Sequence, residues 1–294
     1  RRTQAHVTKP PVGPTGGYAT LGAAVTDINT NGLAGNLILE LQATYVSSVE
    51  TFPLVINVLG SPSNTITIRP ETGATALSIT SANTTATVDL NGATNVTVDG
   101  RAGGAGVSQL TLANTATAGV ALRLINGASR NTVQFATIAG VNTSTTGGVV
   151  LFSTSTGVTG NNSNTISSCD VRDGATTPVN GIASIGTAST NLLNTGNTIS
   201  SNNVFNFFSA GSATTGILVT TNTNLSNTGW TIANNRIFQT ASRNYTTANT
   251  HRGILVNGGS GYTVSGNVVG FASSAGTGTY HDLHGSSDQL CRYP

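Results

Sequence analysis

The chain is poor in the residues on which most protein classes depend. Only 7% of its 294 residues are charged and 5% are aromatic, methionine is absent, and Lys9 is the single lysine beside eleven arginines. Helical bundles need Ala, Glu, Lys and Leu in quantity. Binding to nucleic acid by phosphate neutralisation needs a basic stripe, which a net charge of +2 does not supply. We therefore expect neither a helical bundle nor a nucleic-acid partner.

Cysteines and long apolar runs are also scarce. Cys169 and Cys291 are too few for a disulfide framework, and neither has the spacing of a zinc site. No run of about 18 apolar residues occurs, so we expect no membrane span. Scarce lysine beside abundant Thr, Asn and Gly is typical of secreted or surface-displayed bacterial β proteins, and we expect that location. The missing initiator Met and leader indicate a mature or truncated piece of a longer protein.

Small polar residues dominate, and they recur with a fixed period. Thr (50), Gly (36), Asn (31) and Ser (28) make up about half of the chain. A Thr followed by Val or Ile recurs in steps of 33, 33, 33 and 32 residues, with its apolar member at Val133, Ile166, Ile199, Ile232 and Val264. Three residues later comes a column of Asn202, Asn235 and Asn267, in which Cys169 takes the first place. A period of this length indicates a repeat architecture.

The repeat predicts an all-β fold, a right-handed parallel β-helix of six to seven coils. Each unit consists of three short strands without a helical period, and its Asn column fits a ladder of side-chain amides at one corner. A β-sandwich array would need alternating antiparallel strands, which the constant order of the columns disfavours. We predict a lead-in at 1–14, the β-helix domain at 15–280 with a short capping helix at 20–30, and an irregular tail at 281–294. That tail is either a cap or an artefact of truncation or cloning.

Several motifs near the N-terminus resemble a known module. They are residues 16–21 (GGYATL), 49–54 (VETFPL), 64–70 (NTITIRP), 88–92 (VDLNG) and 96–101 (VTVDGR). The chain resembles, over about 15–280, a repeat module of large secreted surface proteins of Bacteroidetes and similar bacteria. The resemblance implies a pectate-lyase-like fold and other domains of a longer parent protein as partners, but it implies no particular activity.

One strand of each unit begins after a glycine, and its outer face is where pectate-lyase-like enzymes carry clustered carboxylates. Alternation after Gly148 predicts Val149 and Leu151 inside, with Val150 and Phe152 outside. From Ala121 and Arg123 onward, the predicted outward residues include no carboxylate. They form an apolar stripe that we expect loops or a partner to cover, because large apolar patches are rarely left bare.

Only one place in the repeats brings two acids and an arginine together, namely Asp170, Arg172 and Asp173. Such a group would suit Ca²⁺ or acid–base chemistry on a sugar, and these three residues are our catalytic candidates. The alternative is a solvated salt bridge. We interpret Cys169 as a buried corner residue rather than a nucleophile, and His251, beside Arg252, as an exposed loop residue. No other cofactor is expected.

A file of threonines is the candidate binding surface. Each precedes an inward apolar residue and should therefore point outward; the file contains Thr97, Thr132, Thr165, Thr198, Thr231 and Thr263, of which the last five are our candidate binding residues. A flat hydroxyl array of this kind suits ice or sugar surfaces, although Thr is also simply a favoured solvent-facing strand residue. Interruptions in the neighbouring serine file weaken the ice interpretation.

The leading functional hypothesis is a non-catalytic, secreted or cell-surface scaffold that contacts polysaccharide or a cell-surface glycan. The second hypothesis is a carbohydrate-active lyase or a glycoside or ester hydrolase. The third is ice binding through the threonine file.

Overall fold

The chain folds into a parallel β-helix, as predicted. A computed structural model describes residues 10–154, 159–186, 189, 192–220 and 227–278, together with the backbone of 283–286. The chain winds through about seven turns, and most turns add one strand to each of three parallel sheets. We call these sheets I, II and III, in the order in which the chain passes through them within a turn. No helix in the described part of the chain is long and apolar enough to cross a membrane.

Each sheet grows by one short strand per turn. Sheet I contains Pro11–Val12, Leu37–Leu41, Ile66–Pro70, Val96–Asp99, Thr132–Gln134, Thr165–Ser167, Thr198–Ser200, Thr231–Ala233 and Thr263–Ser265. Sheet II contains Leu77–Ser81, Leu110–Asn114, Thr137–Gly140, Asp170–Asp173, Asn203–Phe205, Arg236–Phe238 and Val268–Val269. Sheet III contains Leu54–Ile56, Ala86–Asn91, Val120–Ile125, Val150–Phe152, Asn180–Ser184, Thr214–Val219 and His251–Val256. Two 3₁₀ turns cover Ser47–Val49 and Ala102–Gly104.

The terminal segments are only partly described. The strand Leu283–Ser286 pairs in parallel with Arg243–Asn249, so four residues of the segment 281–294 belong to a small separate sheet. The rest of that segment, and residues 1–9 of the expected lead-in, lie outside the described residues. Within 1–14, Pro11–Val12 already pairs with Glu40 and Leu41 at the beginning of sheet I.

The predicted register of the repeat is confirmed in sheet I. Thr132 pairs with Thr165, and the same step leads on to Thr198, Thr231 and Thr263. The apolar partners Val133, Ile166, Ile199 and Ile232 are each no more than 1% exposed. Because period-2 alternation puts every second residue inside, one column of apolar side chains forms the core while the threonines face outward.

The predicted helix is also confirmed, over Leu21–Asn31. Thr20 caps it, because its hydroxyl accepts a hydrogen bond from the amide of Ala23 at 3.0 Å. The carboxylate of Glu50 accepts two more, from the amides of Leu21 (2.6 Å) and Gly22 (3.1 Å), which suits the positive end of a helix dipole. The buried face of the helix joins the hydrophobic core at the N-terminal end of the rod; it comprises Leu21, Ala24, Val25 and Ile28.

Left-handed residues turn the chain at both ends of each sheet I strand from Thr132 onward. The corner that precedes the strand has positive φ at Arg130, Ser163, Gly196, Gly229 and Gly261. The corner that follows it has positive φ at Phe135, Ser168, Ser201, Asn234 and Gly266. A non-glycine residue in this region costs about 1–3 kcal/mol, so the surrounding structure has to stabilise the corner.

Asparagine ladders supply that stabilisation, because a ladder residue directly follows the corner residue. At the second corner, Asn235 Oδ1 accepts from both the backbone N (3.0 Å) and the side-chain Nδ2 (3.0 Å) of Asn202. Asn235 Nδ2 in turn donates to Ile199 O and to Asn267 Oδ1, both at 2.9 Å. The predicted Asn column is therefore a hydrogen-bonded ladder that joins successive coils. A second ladder, of Asn131, Asn164 and Asn197, follows the first corner.

Three other residue types, Trp, Tyr and Cys, substitute for asparagine at the ladder positions. Tyr262, which follows Gly261, donates its hydroxyl hydrogen to Asn227 O. Trp230 follows Asn197 in its ladder, and its Nε1 donates to Asn194 O at 2.8 Å, just as Asn197 Nδ2 donates to Asn161 O. Cys169 begins the other ladder; its Sγ donates to Val133 O at 3.6 Å and accepts from the amide of Ala136. A donor at the ladder position is thus kept even when the amide is not.

We expect Asn235→Ala to lower the free energy of unfolding by about 3 kcal/mol, because it leaves buried groups of Asn202 and Ile199 short of partners. Urea unfolding monitored by circular dichroism measures the loss. The matched control is Asn203→Ala, since the Asn203 amide bonds only an exposed carboxylate oxygen, and we expect it to cost less than about 1 kcal/mol. Equal losses in the two variants would contradict the ladder's role.

Candidate functional site

The three catalytic candidates lie on one strand of sheet II. Asp170 and Arg172 face outward and are exposed, whereas Val171 between them is buried in the core. Asp170 Oδ1 accepts from Asn203 Nδ2 at 2.7 Å. Arg172 Nη1 lies 3.8 Å from Asp173 Oδ1, and the Arg172 side chain is 44% exposed. Ion pairs at this exposure contribute about 0–1 kcal/mol, so this group has the geometry of surface polar contacts. A catalytic role for it remains a prediction.

Within the described residues, the structure brings no third carboxylate to the strand considered for Ca²⁺. Among the residues that the structure describes, no three His, Cys, Asp or Glu side chains are grouped closely enough to hold a metal ion. Asp173 Oδ1 also accepts from Asn206 Nδ2 at 3.2 Å, so both carboxylates are linked to amides of the next coil.

The threonine file lies on the outer face of sheet I and is one coil longer than predicted. It begins at Thr67 and continues through the six predicted threonines in unbroken register. Their side chains are half-buried, except that of Thr263, which is exposed. Beside them runs a second file of Ser167, Ser200, Ala233 and Ser265. Neighbouring strands lie about 4.8 Å apart, so the last four coils present a flat and uncharged array of small side chains.

The predicted orientation of one sheet III strand is wrong. Val150 and Phe152 are buried at 0% exposure and point into the core, whereas Leu151 faces outward. The pairing register causes the difference, because Val150 pairs with Leu122 and with Ile182, and the latter pairing is one residue later than the alignment on Gly148 predicts. A shift of one residue reverses which side chains face inward. In the next two coils, the predicted outward residues Ala183 and Leu218 are buried. The prediction that this apolar stripe is covered is therefore confirmed at these two residues.

The outer face of sheet III carries one ion pair that the sequence reasoning missed. Arg123 donates to Asp89 twice, from Nε to Oδ1 at 3.0 Å and from Nη2 to Oδ2 at 2.7 Å. The Asp89 side chain is 1% exposed and that of Arg123 is 20% exposed. Asp89 lies one coil before Ala121 and Arg123, which are the first of the predicted outward residues. The 34-residue separation of the two partners, close to one repeat, was the available signal.

A groove opens beside Arg123, with a volume of about 300 Å³. Its lining combines Arg123 with the apolar side chains of Val120, Leu151 and Ile185. Most of the other described lining residues carry hydroxyl or amide side chains; they are Thr84, Thr85, Asn142, Ser144, Thr146, Ser153 and Thr154. The volume is at the lower end of the range of about 300–1,000 Å³ that is usual for small-molecule sites. The described lining contains no carboxylate, so hydrogen bonding and apolar contact are what the groove offers a ligand.

Cys169 is unsuited to nucleophilic chemistry, as predicted. It is 1% exposed, and burial raises the pKa of its thiol to about 12. Because the thiolate is the nucleophile, a thiol that stays protonated at neutral pH is inert.

His251 is not an exposed loop residue, contrary to the sequence-based interpretation. It begins a strand of sheet III, its ring stacks on Phe207 with a centroid separation of 4.8 Å, and its Nδ1 lies 2.7 Å from Thr214 Oγ1. The same hydroxyl oxygen lies 2.9 Å from the hydroxyl of Tyr245. Burial, aided by the positive charge of Arg243, lowers the pKa of His251 to about 4. Thr214 is itself fully buried, so this network is structural.

A scan against protein-family models found no match, and a search of curated proteins found no significant similarity.

We expect the protein to lose stability as the pH falls from about 6.5 to about 4. In that range His251 becomes protonated in the unfolded chain but stays neutral in the folded one, and the difference in pKa corresponds to about 3 kcal/mol in total. Urea unfolding at pH 7, 6, 5 and 4 measures it. His251→Asn, which retains a polar atom near Thr214, should flatten the dependence over this range. An unchanged slope in that variant would show that other groups are responsible.

Proposed function

We propose that the chain is a non-catalytic module of a secreted or cell-surface protein and that it binds polysaccharide in the groove of sheet III. The observation that carries the proposal is the composition of that groove. Sugar hydroxyls are both donors and acceptors, and so are the hydroxyls of Ser144, Thr146 and Ser153 in the lining of the groove. The apolar side chains of Leu151 and Ile185 suit the C–H faces of sugar rings.

The carboxylates disfavour an enzyme at this groove. Glycoside hydrolysis ordinarily uses two carboxyl groups that flank the scissile bond. The described lining of the groove contains no carboxylate, and Asp89, which pairs with the lining residue Arg123, accepts hydrogen bonds from it at both oxygens. The resemblance of the N-terminal motifs to surface-protein modules supports the proposed location. It also favours further domains of a longer protein as partners of this chain.

The test is binding to a glycan array, followed by calorimetry on the glycans that bind. We expect Ser153→Tyr to weaken binding by at least about tenfold, equivalent to about 1.4 kcal/mol, because the added ring fills the groove. The matched control is Ser167→Tyr on the outer face of sheet I, which should bind as the unmodified protein does.

Two results would contradict the proposal. One is an array on which the unmodified protein binds nothing. The other is turnover of a panel of polysaccharides and esters that the double variant Asp170→Asn/Asp173→Asn loses, which would assign an enzymatic function to the strand of sheet II.

Ice binding through sheet I is the second candidate, favoured by the unbroken register of the threonine file. Over the last four coils that file and its neighbour contain Thr, Ser and one Ala, without a charged side chain. Uniform spacing set by the β-sheet is what a periodic surface such as ice requires.

If this candidate holds, the unmodified protein produces thermal hysteresis and Thr198→Tyr removes it, because the bulky ring interrupts the middle of the flat file. The measurement is the gap between melting and freezing points in a nanolitre osmometer. Ser153→Tyr, which alters only the groove, is the control and should retain the effect. Absence of hysteresis in the unmodified protein would end this candidate.

A further inference from the structure

Arg123 is the one charged residue of the described groove lining, and its charge is balanced within the protein. Two parallel N–H···O bonds join its guanidinium to the Asp89 carboxylate, at 3.0 and 2.7 Å. This bidentate geometry is the strongest that an arginine makes with a carboxylate. The groove therefore presents a neutral ion pair to a ligand rather than a free cation.

The pairing is obligatory for Asp89 because the carboxylate is almost completely buried. With 1% of its side chain exposed, it cannot be solvated by water as an anion. Removing the partner of a buried charge costs about 3–5 kcal/mol, so a ligand carboxylate would have to compete against that penalty to capture Arg123. Asp89 occupies two of the five N–H groups of Arg123, which leaves the second N–H of Nη2 and the two of Nη1 for hydrogen bonds to uncharged oxygens.

We propose that Asp89 determines specificity in the groove: by occupying Arg123, it selects neutral polysaccharides and disfavours chains of uronic acids. This inference rests on the proposed glycan-binding function. The rest of the described lining agrees with it, since the hydroxyls and the amide of Asn142 carry no charge, and they bond uncharged sugar hydroxyls as readily as water.

Calorimetry with the unmodified protein is the first test. The probes are neutral hexasaccharides of glucose, xylose and mannose and a hexamer of galacturonic acid. We expect at least one neutral probe to bind, with an affinity that changes less than about twofold between about 50 and 500 mM NaCl, because no net charge is involved. We expect the galacturonate hexamer to bind at least about tenfold more weakly. Equal or tighter binding of the galacturonate would overturn the inference and leave glycan binding intact, whereas binding of no probe would overturn both.

Asp89→Asn is the second test. It keeps the side-chain shape but releases the charge of Arg123, so affinity for the galacturonate hexamer should rise at least about fivefold in low salt and fall again in about 500 mM NaCl. The double variant Asp89→Asn/Arg123→Gln carries neither charge and should not show the gain. Circular dichroism establishes that both variants fold. No gain in a folded Asp89→Asn variant would overturn the inference, and if that variant does not fold, the comparison of probes on the unmodified protein decides.

Discussion

Buried carboxamides hold each coil in register with the next, and the rest of the fold depends on that register. An Asn at the ladder position accepts hydrogen bonds from the coil before it and donates both to a carbonyl of that coil and to the next Asn. Because these groups are inaccessible to water, a shift by one residue would leave several of them without partners. The ladder therefore determines which side chains face inward and keeps the apolar and threonine columns straight.

The same constraint explains the unusual composition. Strands of only three residues lie between left-handed corners, and the corner residues are mostly Ser, Gly and Asn, which tolerate or relieve positive φ. Outward positions are taken by Thr and Ser, which bond to one another and to water without a charge. Few positions require an ionised side chain, and several of the acids that occur have a fixed structural partner, as Glu40, Asp89 and Asp99 do in their pairs with arginines.

Structure close to the asparagine ladder in sequence could be predicted, whereas structure farther from it could not. Sheet I and the strands of sheet II that follow the ladder could be predicted because their residues lie within a few positions of an Asn that repeats every 33 or 32 residues. Val150 and Phe152 could not be oriented correctly, because the spacing between Gly148 and the strand is one residue longer than in the next coil, and only the strand pairing shows this. The groove was also beyond reach, since it combines Thr84 with Thr146 and other residues from different coils, and loop length changes from coil to coil.

The position of the groove follows from where the repeat tolerates variation. From Thr132 onward the corner between sheets I and II is two residues long in every coil, for example Ser168 and Cys169, and it cannot accept an insertion without breaking the ladder. In the described residues from Thr132 onward, the longer connections lie at the corners on either side of sheet III, such as 141–149. Asn142, Ser144 and Thr146 of that connection line the groove beside Arg123, whereas the outer face of sheet I stays flat. A ligand that has to be enclosed therefore fits the groove at sheet III, whereas a ligand that requires a regular flat surface fits the threonine file of sheet I.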